Sequence, residues 1–319
     1  MADLNTFKRL TNFDNLSPSE SDTLQKKLLL RKKTFDLKNL ARENYLKFVK
    51  QVWPEFIEGP HHVQIAKKFQ ALAEGKIKRL IVNMPPRHTK SEFASYLFPA
   101  WMMGRNPKLK IIQTTHTAEL SYRFGRKVRN LMEENTFQDI FDDIKLSQDS
   151  KAAGRWETNQ GGEYFAAGVG GAITGRGADL LIIDDPHSEQ DALSETAMEN
   201  AYEWYTSGPR QRLQPGGRIV IVMTRWSTKD LTGQLMKAQS DMKADQWDVI
   251  EFPAIMPNEK PVWPEYWKLD ELESVKASLS VAKWNAQWQQ NPTSEEGSII
   301  KREYWKIWDK PKLPKLQHV

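Results

Sequence analysis

Lys90 and Ser91 put a primary amine beside a hydroxyl at the end of the stretch LIVNMPPRHTKS, residues 80–91. The apolar run before them reads as a strand, the middle as a tight polar turn, and the residues after Ser91 as a helix. A bound phosphate chain needs such a place. Backbone N–H groups and a helix N-terminus supply partial positive charge. The lysine reaches the β- and γ-phosphates, and the hydroxyl ligates the Mg²⁺ that bridges them. The chemistry is that of an ATP and Mg²⁺ site, with Pro86, Arg87, His88 and Thr89 lining the loop ahead of Lys90 and Ser91. In the pattern GxxxxGK[ST], however, the two glycine positions are held by Met84 and Thr89. A residue with a Cβ is strained wherever that loop needs a left-handed backbone. An ordinary strand-to-helix turn with a solvated lysine is the competing reading.

The second set of residues is acidic. Asp179-Leu180-Leu181-Ile182-Ile183-Asp184-Asp185-Pro186 reads as a buried strand with two carboxylates at its C-terminal end, where open α/β sheets bind ligands. Asp184 suits the acid that holds Mg²⁺, and Asp185 the one that positions the attacking water. Alone, the pair is equally a strand-ending turn; with Lys90 and Ser91 the two motifs support one another. A third strand, Arg218 to Met223, ends in Thr224-Arg225, where a polar pair is placed to sense the γ-phosphate, or simply to begin a capped helix. Ser227-Thr228-Lys229-Asp230 is expected to cap that helix. Gln64, shortly before the loop, is a candidate reader of the adenine edge, or a surface glutamine on an amphipathic helix.

The elements that must position these residues alternate. A strand over 110–115, a helix over 116–132 with Arg123, Arg126, Lys127 and Arg129 on one face, the Asp184 strand, a helix over 192–213, and strands over 218–223 and 247–252 make an α/β pattern with a mostly parallel sheet. Residues 152–167 read as a β-hairpin turning at Asn159-Gln160-Gly161-Gly162, followed by a glycine-rich loop over 168–177. Helices are expected over 38–74, with breaks at Trp53-Pro54 and Gly59-Pro60, and from Lys90 to Met103, where Pro99 should kink or stop the chain. His61 and His62 are set aside as metal ligands, since adjacent residues on a helix are expected to diverge. A helix cap is expected at Ser17-Pro18, and a basic amphipathic helix over 24–33, its charges most simply a solvated face. From Pro253 prolines and tryptophans crowd the sequence. A helix over 269–290 and a basic, aromatic tail follow.

The bulk numbers agree with an intracellular α/β protein. The 319 residues suffice for a large core, with 39% hydrophobic and 27% charged residues. No apolar run reaches membrane-spanning length, and the first residues lack a secretory signal pattern. With no cysteine, thiolate metal sites, thiol nucleophiles and disulfides are excluded. The net charge of +5 and the pI of about 9.1 lean mildly towards an anionic partner. The twelve tryptophans, many after residue 240, serve packing or a surface that meets another domain.

Four pieces in order, PPRHTKS (85–91), IIDDP (182–186), MTRW (223–226) and QWQQNP (287–292), resemble the large terminase subunits of tailed bacteriophages over residues 50 to the end. The resemblance implies a P-loop NTPase of the additional-strand type: a peripheral helical segment at 1–40, an ATPase core at 41–255, and a Trp/Pro-rich subdomain and linker at 256–319. It further implies a nuclease domain beyond Val319, so the chain is expected to be the motor half, truncated or split, without nuclease activity. By position, Lys90 and Ser91 hold phosphates and Mg²⁺, Asp184 the metal, and Asp185 the water, where the family commonly has Glu; Glu189 is the alternative. Arg87 and Thr224-Arg225 couple hydrolysis to movement. Arg176 resembles the arginine offered to a neighbouring subunit's site, with Arg155 second. The implied partners are double-stranded DNA, a portal protein, a small terminase subunit and copies of the chain in a ring, in the host cytoplasm and at the prohead portal. A helicase-like or repair ATPase, and a non-catalytic DNA-binding scaffold with a decayed nucleotide site, remain open alternatives.

Overall fold

The computed structural model describes residues 18–293. Its centre is an eight-stranded sheet. Three strands lead to the motifs: β1 (Arg79–Asn83), β6 (Ala178–Asp184) and β7 (Leu213–Met223). The others are β2 (Lys110–Thr115), β3 (Leu146–Ala152), β4 (Arg155–Thr158), β5 (Glu163–Gly168) and β8 (Asp248–Glu251), and the spatial order is β3-β4-β5-β2-β6-β7-β1-β8. From β5 to β8 every neighbouring pair is parallel. The hairpin of β4 with β5, and the β3 strand beyond it, are antiparallel. This is an α/β P-loop fold of the additional-strand type, because β7 lies between β1 and β6. The Thr224-Arg225 strand end therefore stands between the loop and the acids.

The strands are central because both of their faces are covered. Leu80, Val82, Leu180, Ile182, Val220 and Val222 point into one layer of core. Ile81, Leu181, Ile183, Ile219, Ile221 and Met223 point into the other. The alternation is that of a pleated strand. The first layer also receives α1 (Pro18–Glu43), α2 (Tyr45–Val52), α3 (Pro60–Ala73) and α4 (Phe98–Arg105). Among the described residues no helix is long and apolar enough to cross a membrane.

Several expectations need correction. Asn44 interrupts the first helices, its side chain accepting from the Lys47 N–H as a cap. Pro99 neither stops nor breaks its helix. A π-helical turn at Glu92–Leu97 precedes α4, which takes Pro99 in its first turn where the missing N–H costs nothing. The helix expected over 116–132 is α5 (Ala118–Glu133), followed by a short α6 (Asn135–Ile140), and the helix expected over 192–213 is α7 (Glu195–Ser207) flanked by 3-10 turns. The expected capping box is not made. Asp230 caps α8 (Leu231–Ala238), its carboxylate accepting from the Gly233 N–H at 2.9 Å. The helix expected over 269–290 is α9 (Leu269–Ser278), then a new start capped by Ser280 that ends in a π-helical turn, Trp284–Trp288. Ser17 and the tail after residue 293 lie outside the described residues.

Candidate active site

The loop from Met84 to Thr89 leaves β1 and enters a helix at Lys90. Thr89 supplies the carbonyl that accepts from the Phe93 N–H at 3.0 Å, so the next N–H groups belong to a first helical turn with no acceptor within the helix. Arg87 and Thr89 both have positive φ, 60° and 69°. The missing glycines thus leave two side-chain-bearing residues in the left-handed region, where a β-branched residue is an outlier.

Five side chains from two stretches of the chain meet beside this loop. Ser91 Oγ donates to Asp184 Oδ1 at 2.9 Å, and Ser95 Oγ donates to Asp184 Oδ2 at 2.7 Å. Lys90 Nζ lies 3.0 Å from Asp185 Oδ2. The other oxygen of Asp185 accepts from the Thr224 N–H at 2.8 Å, while Thr224 Oγ1 donates to the Met84 carbonyl at 3.2 Å. One residue at the end of β7 therefore touches both the start of the phosphate loop and the second acid. Asp185 itself has φ of 41°, and its carbonyl accepts from the His116 N–H at 3.3 Å.

Asp184 is buried, and burial together with the Asp185 carboxylate pushes its pKa up to about 7, against the pull of Lys90, Ser95 and Ser91. A carboxylate and a hydroxyl oxygen held together are hard-cation ligands. Mg²⁺ usually takes one or two protein oxygens and completes its shell with water and phosphate. Ser91 and Asp184 fit that requirement. Among the described residues no group of three His, Cys, Asp or Glu is arranged to hold a metal.

This sheet order and site can be compared with solved proteins. The large terminase of bacteriophage HK97 superposes with a TM-score of 0.51 at 11% sequence identity, over 78% of this chain and 55% of the HK97 chain. The chain shares its fold with a phage large terminase. It spans about half of that terminase's length. The ATPase domain of the Thermus phage P74-26 large terminase, as a point mutant, gives a TM-score of 0.49 at 14% identity over 73% of this chain and 94% of that one. The large terminase of a thermophilic bacteriophage in complex with ADP gives 0.44 at 10% identity, over 70% and 52%. No protein-family model matches the sequence, and no curated protein matches it.

The remaining residues singled out for a terminase-like site are placed as follows. Arg87 is exposed at the loop tip, and Pro86 is half-buried. His88 is buried, donating from Nδ1 to the Pro86 carbonyl at 2.8 Å. Gln64 and Glu189 are exposed. Arg225 is buried; its Nε lies 3.0 Å from Asp230 Oδ2 and its Nη1 3.1 Å from Glu251 Oε1. Of the Thr224-Arg225 pair, only Thr224 bonds to the loop and the acid. Arg176 bonds to Glu163 and covers the Phe165 ring at 4.0 Å, whereas the Arg155 side chain is half exposed.

Sequence reasoning missed Ser95, His62 and His116. Ser95 had a signal, being one helical turn after Ser91 and so on the same face. His62 and His116 had none. The expected divergence of His61 and His62 is also wrong. Their rings lie 3.8 Å apart, both buried, against Trp263, because the pair sits at the first turn of α3 where both rings enter an aromatic cluster behind the loop.

Proposed function

We propose that the chain is an ATP-hydrolysing motor domain of the viral DNA-packaging type, moving double-stranded DNA. The observation that carries this is the meeting of Lys90, Ser91, Asp184, Asp185 and Thr224 across three strand ends in the additional-strand order. ATP would lie along the loop, its phosphates on the N–H groups of the first helical turn and on Lys90. Ser91 and Asp184 would hold Mg²⁺, which when bound neutralises charge on the β- and γ-phosphates.

The chain's own residues then act in sequence. Phosphate draws Lys90 away from Asp185, to which it is paired at 3.0 Å. The freed carboxylate oxygen of Asp185 orients water for in-line attack, while its partner oxygen stays on the Thr224 N–H. Loss of the γ-phosphate alters the Lys90 and Asp185 contacts, and Thr224 passes the change to the end of β7 and to Met84 at the loop's start. Arg225 steadies that strand end through Asp230 and Glu251. Arg176, released from Glu163, would stabilise the transferring phosphoryl group of a neighbouring copy. The DNA surface should contact phosphates, since packaging cannot depend on sequence. A portal protein, a small terminase subunit and a ring of copies complete the reading.

Phosphate release from Mg·ATP tests the assignment. Lys90→Ala and Asp185→Asn should each lower turnover at least about a hundredfold, and Glu189→Gln should leave it intact. Full turnover in Asp185→Asn would move the water-positioning role elsewhere.

A further inference from the structure

Thr89 occupies a glycine position of the phosphate loop with φ of 69°, a backbone region that β-branched residues rarely enter. Something outside the loop has to hold it there. The Thr89 hydroxyl donates to the His88 carbonyl at 2.5 Å, and His62 Nε2 lies 2.6 Å from the same oxygen. His62 Nδ1 accepts from the Gly59 N–H at 2.8 Å. These contacts fix every proton. Nδ1 is an acceptor, so Nε2 carries the hydrogen. The single hydroxyl hydrogen goes to His88, so Thr89 Oγ1 must accept from His62. The chain of donors runs from Gly59 through the imidazole and the hydroxyl into the loop backbone.

The ring cannot turn away. It is fully buried, stacks on Phe93 at 5.1 Å, and meets Phe56 and Trp263 edge-on, each at 4.8 Å. Burial, with His61 and His88 nearby, drives its pKa down to about 2, so the ring stays neutral and keeps one tautomer.

We infer that His62 is a positioning residue of the phosphate site, holding Thr89 in the left-handed conformation and so aiming the Lys90 and Ser91 N–H groups. The inference rests on the nucleotide reading above. It makes α3 the substitute for the missing glycine. The Thr89 carbonyl begins the helix through Phe93, and rotation of Thr89 would swing the first helical N–H groups off a bound phosphate.

The test is equilibrium titration of the purified chain with a fluorescent ATP analogue and Mg²⁺. An asparagine at position 62 can accept from Gly59 but cannot reach Thr89; a glutamine places its amide donor near the old Nε2. His62→Asn should weaken binding about tenfold, the loss of one buried hydrogen bond, and His62→Gln less than about threefold. In a Thr89→Gly background the cost of His62→Asn should shrink to less than about twofold, because glycine enters this region without a partner. Thr89→Val, which leaves His62 packed but removes its acceptor, should weaken binding as much as His62→Asn and keeps the question open to test if the histidine variants misfold. An undiminished His62→Asn or Thr89→Val, or a His62→Asn loss just as large beside Thr89→Gly, would overturn the role. Absence of saturable binding by the unsubstituted chain would overturn the nucleotide reading and this role with it.

Discussion

Asp184→Asn should make the protein more stable while destroying its activity. The Asp184 carboxylate is buried beside that of Asp185, and its pKa is raised from 3.8 to about 7, chiefly by burial and then by Asp185. The unfolded chain ionises this group near 3.8; the folded chain does so only near 7. Between those values the folded state binds a proton that the unfolded state has lost, so stability falls as pH rises across the interval. At about 1.4 kcal/mol per pH unit, the ceiling on this cost is about 4 kcal/mol; relaxation and water entry make about 2 kcal/mol a working figure. Asparagine removes the charge and can still accept from one of Ser91 and Ser95 while donating to the other. Thermal melts with a chelator and no nucleotide, at matched pH, isolate the effect because the histidine contributions cancel. The variant should melt about 3 °C higher than the parent at pH 8, and with little or no difference near pH 4. A gain independent of pH, or none at pH 8, would refute the reasoning.

Other outcomes follow from the same geometry. His61, His62 and His88 are held neutral by burial, with pKa values down from 6.5 to about 3, 2 and 4. Their contribution is complete above 6.5 and is lost as pH falls below it, by up to about 4 kcal/mol per pH unit together. Urea unfolding at pH 7 and pH 5.5 should show a steep loss that is shallower in His61→Phe. Asp230 accepts from Arg225 and from the Trp226, Ser227 and Gly233 N–H groups. Asp230→Ala should therefore cost about 3–5 kcal/mol in urea melts, since it removes one of the two carboxylates paired with a buried guanidinium together with the cap of α8. Arg176→Ala should spare nucleotide binding by the single chain but slow hydrolysis in an assembled ring, read by phosphate release at increasing protein concentration.

The parts of this molecule that were legible in the sequence are those where local pattern and tertiary placement agree. Leu180 to Ile183 read as a strand buried on both faces, and the carboxylates after it were expected at the C-terminal edge of the sheet with the phosphate loop. The absent glycine pointed at Thr89, and Thr89 is where the backbone is left-handed. What resolved it was not legible. His62 is far upstream, and its bond to Thr89 exists only because α3 packs behind the loop. The stretch after Pro253 was expected to be a Trp/Pro-rich subdomain and linker with one helix, and nothing in its composition tied it to the site. In the fold Trp263, Trp267 and Trp288 surround His88, and Gln290 accepts from the Arg225 N–H at 3.1 Å. Arg225 looked like a phosphate sensor by position alone; the acids that engage it, Asp230 and Glu251, come from a helix cap and an edge strand.

The most direct measurement is calorimetric titration of the chain with ATP, with Mg²⁺ and with a chelator. Saturable one-site binding is expected in Mg²⁺, weakened by the chelator and lost in Lys90→Ala. Heats that show no saturable binding in either condition, or binding that Lys90→Ala leaves unchanged, would contradict the nucleotide reading.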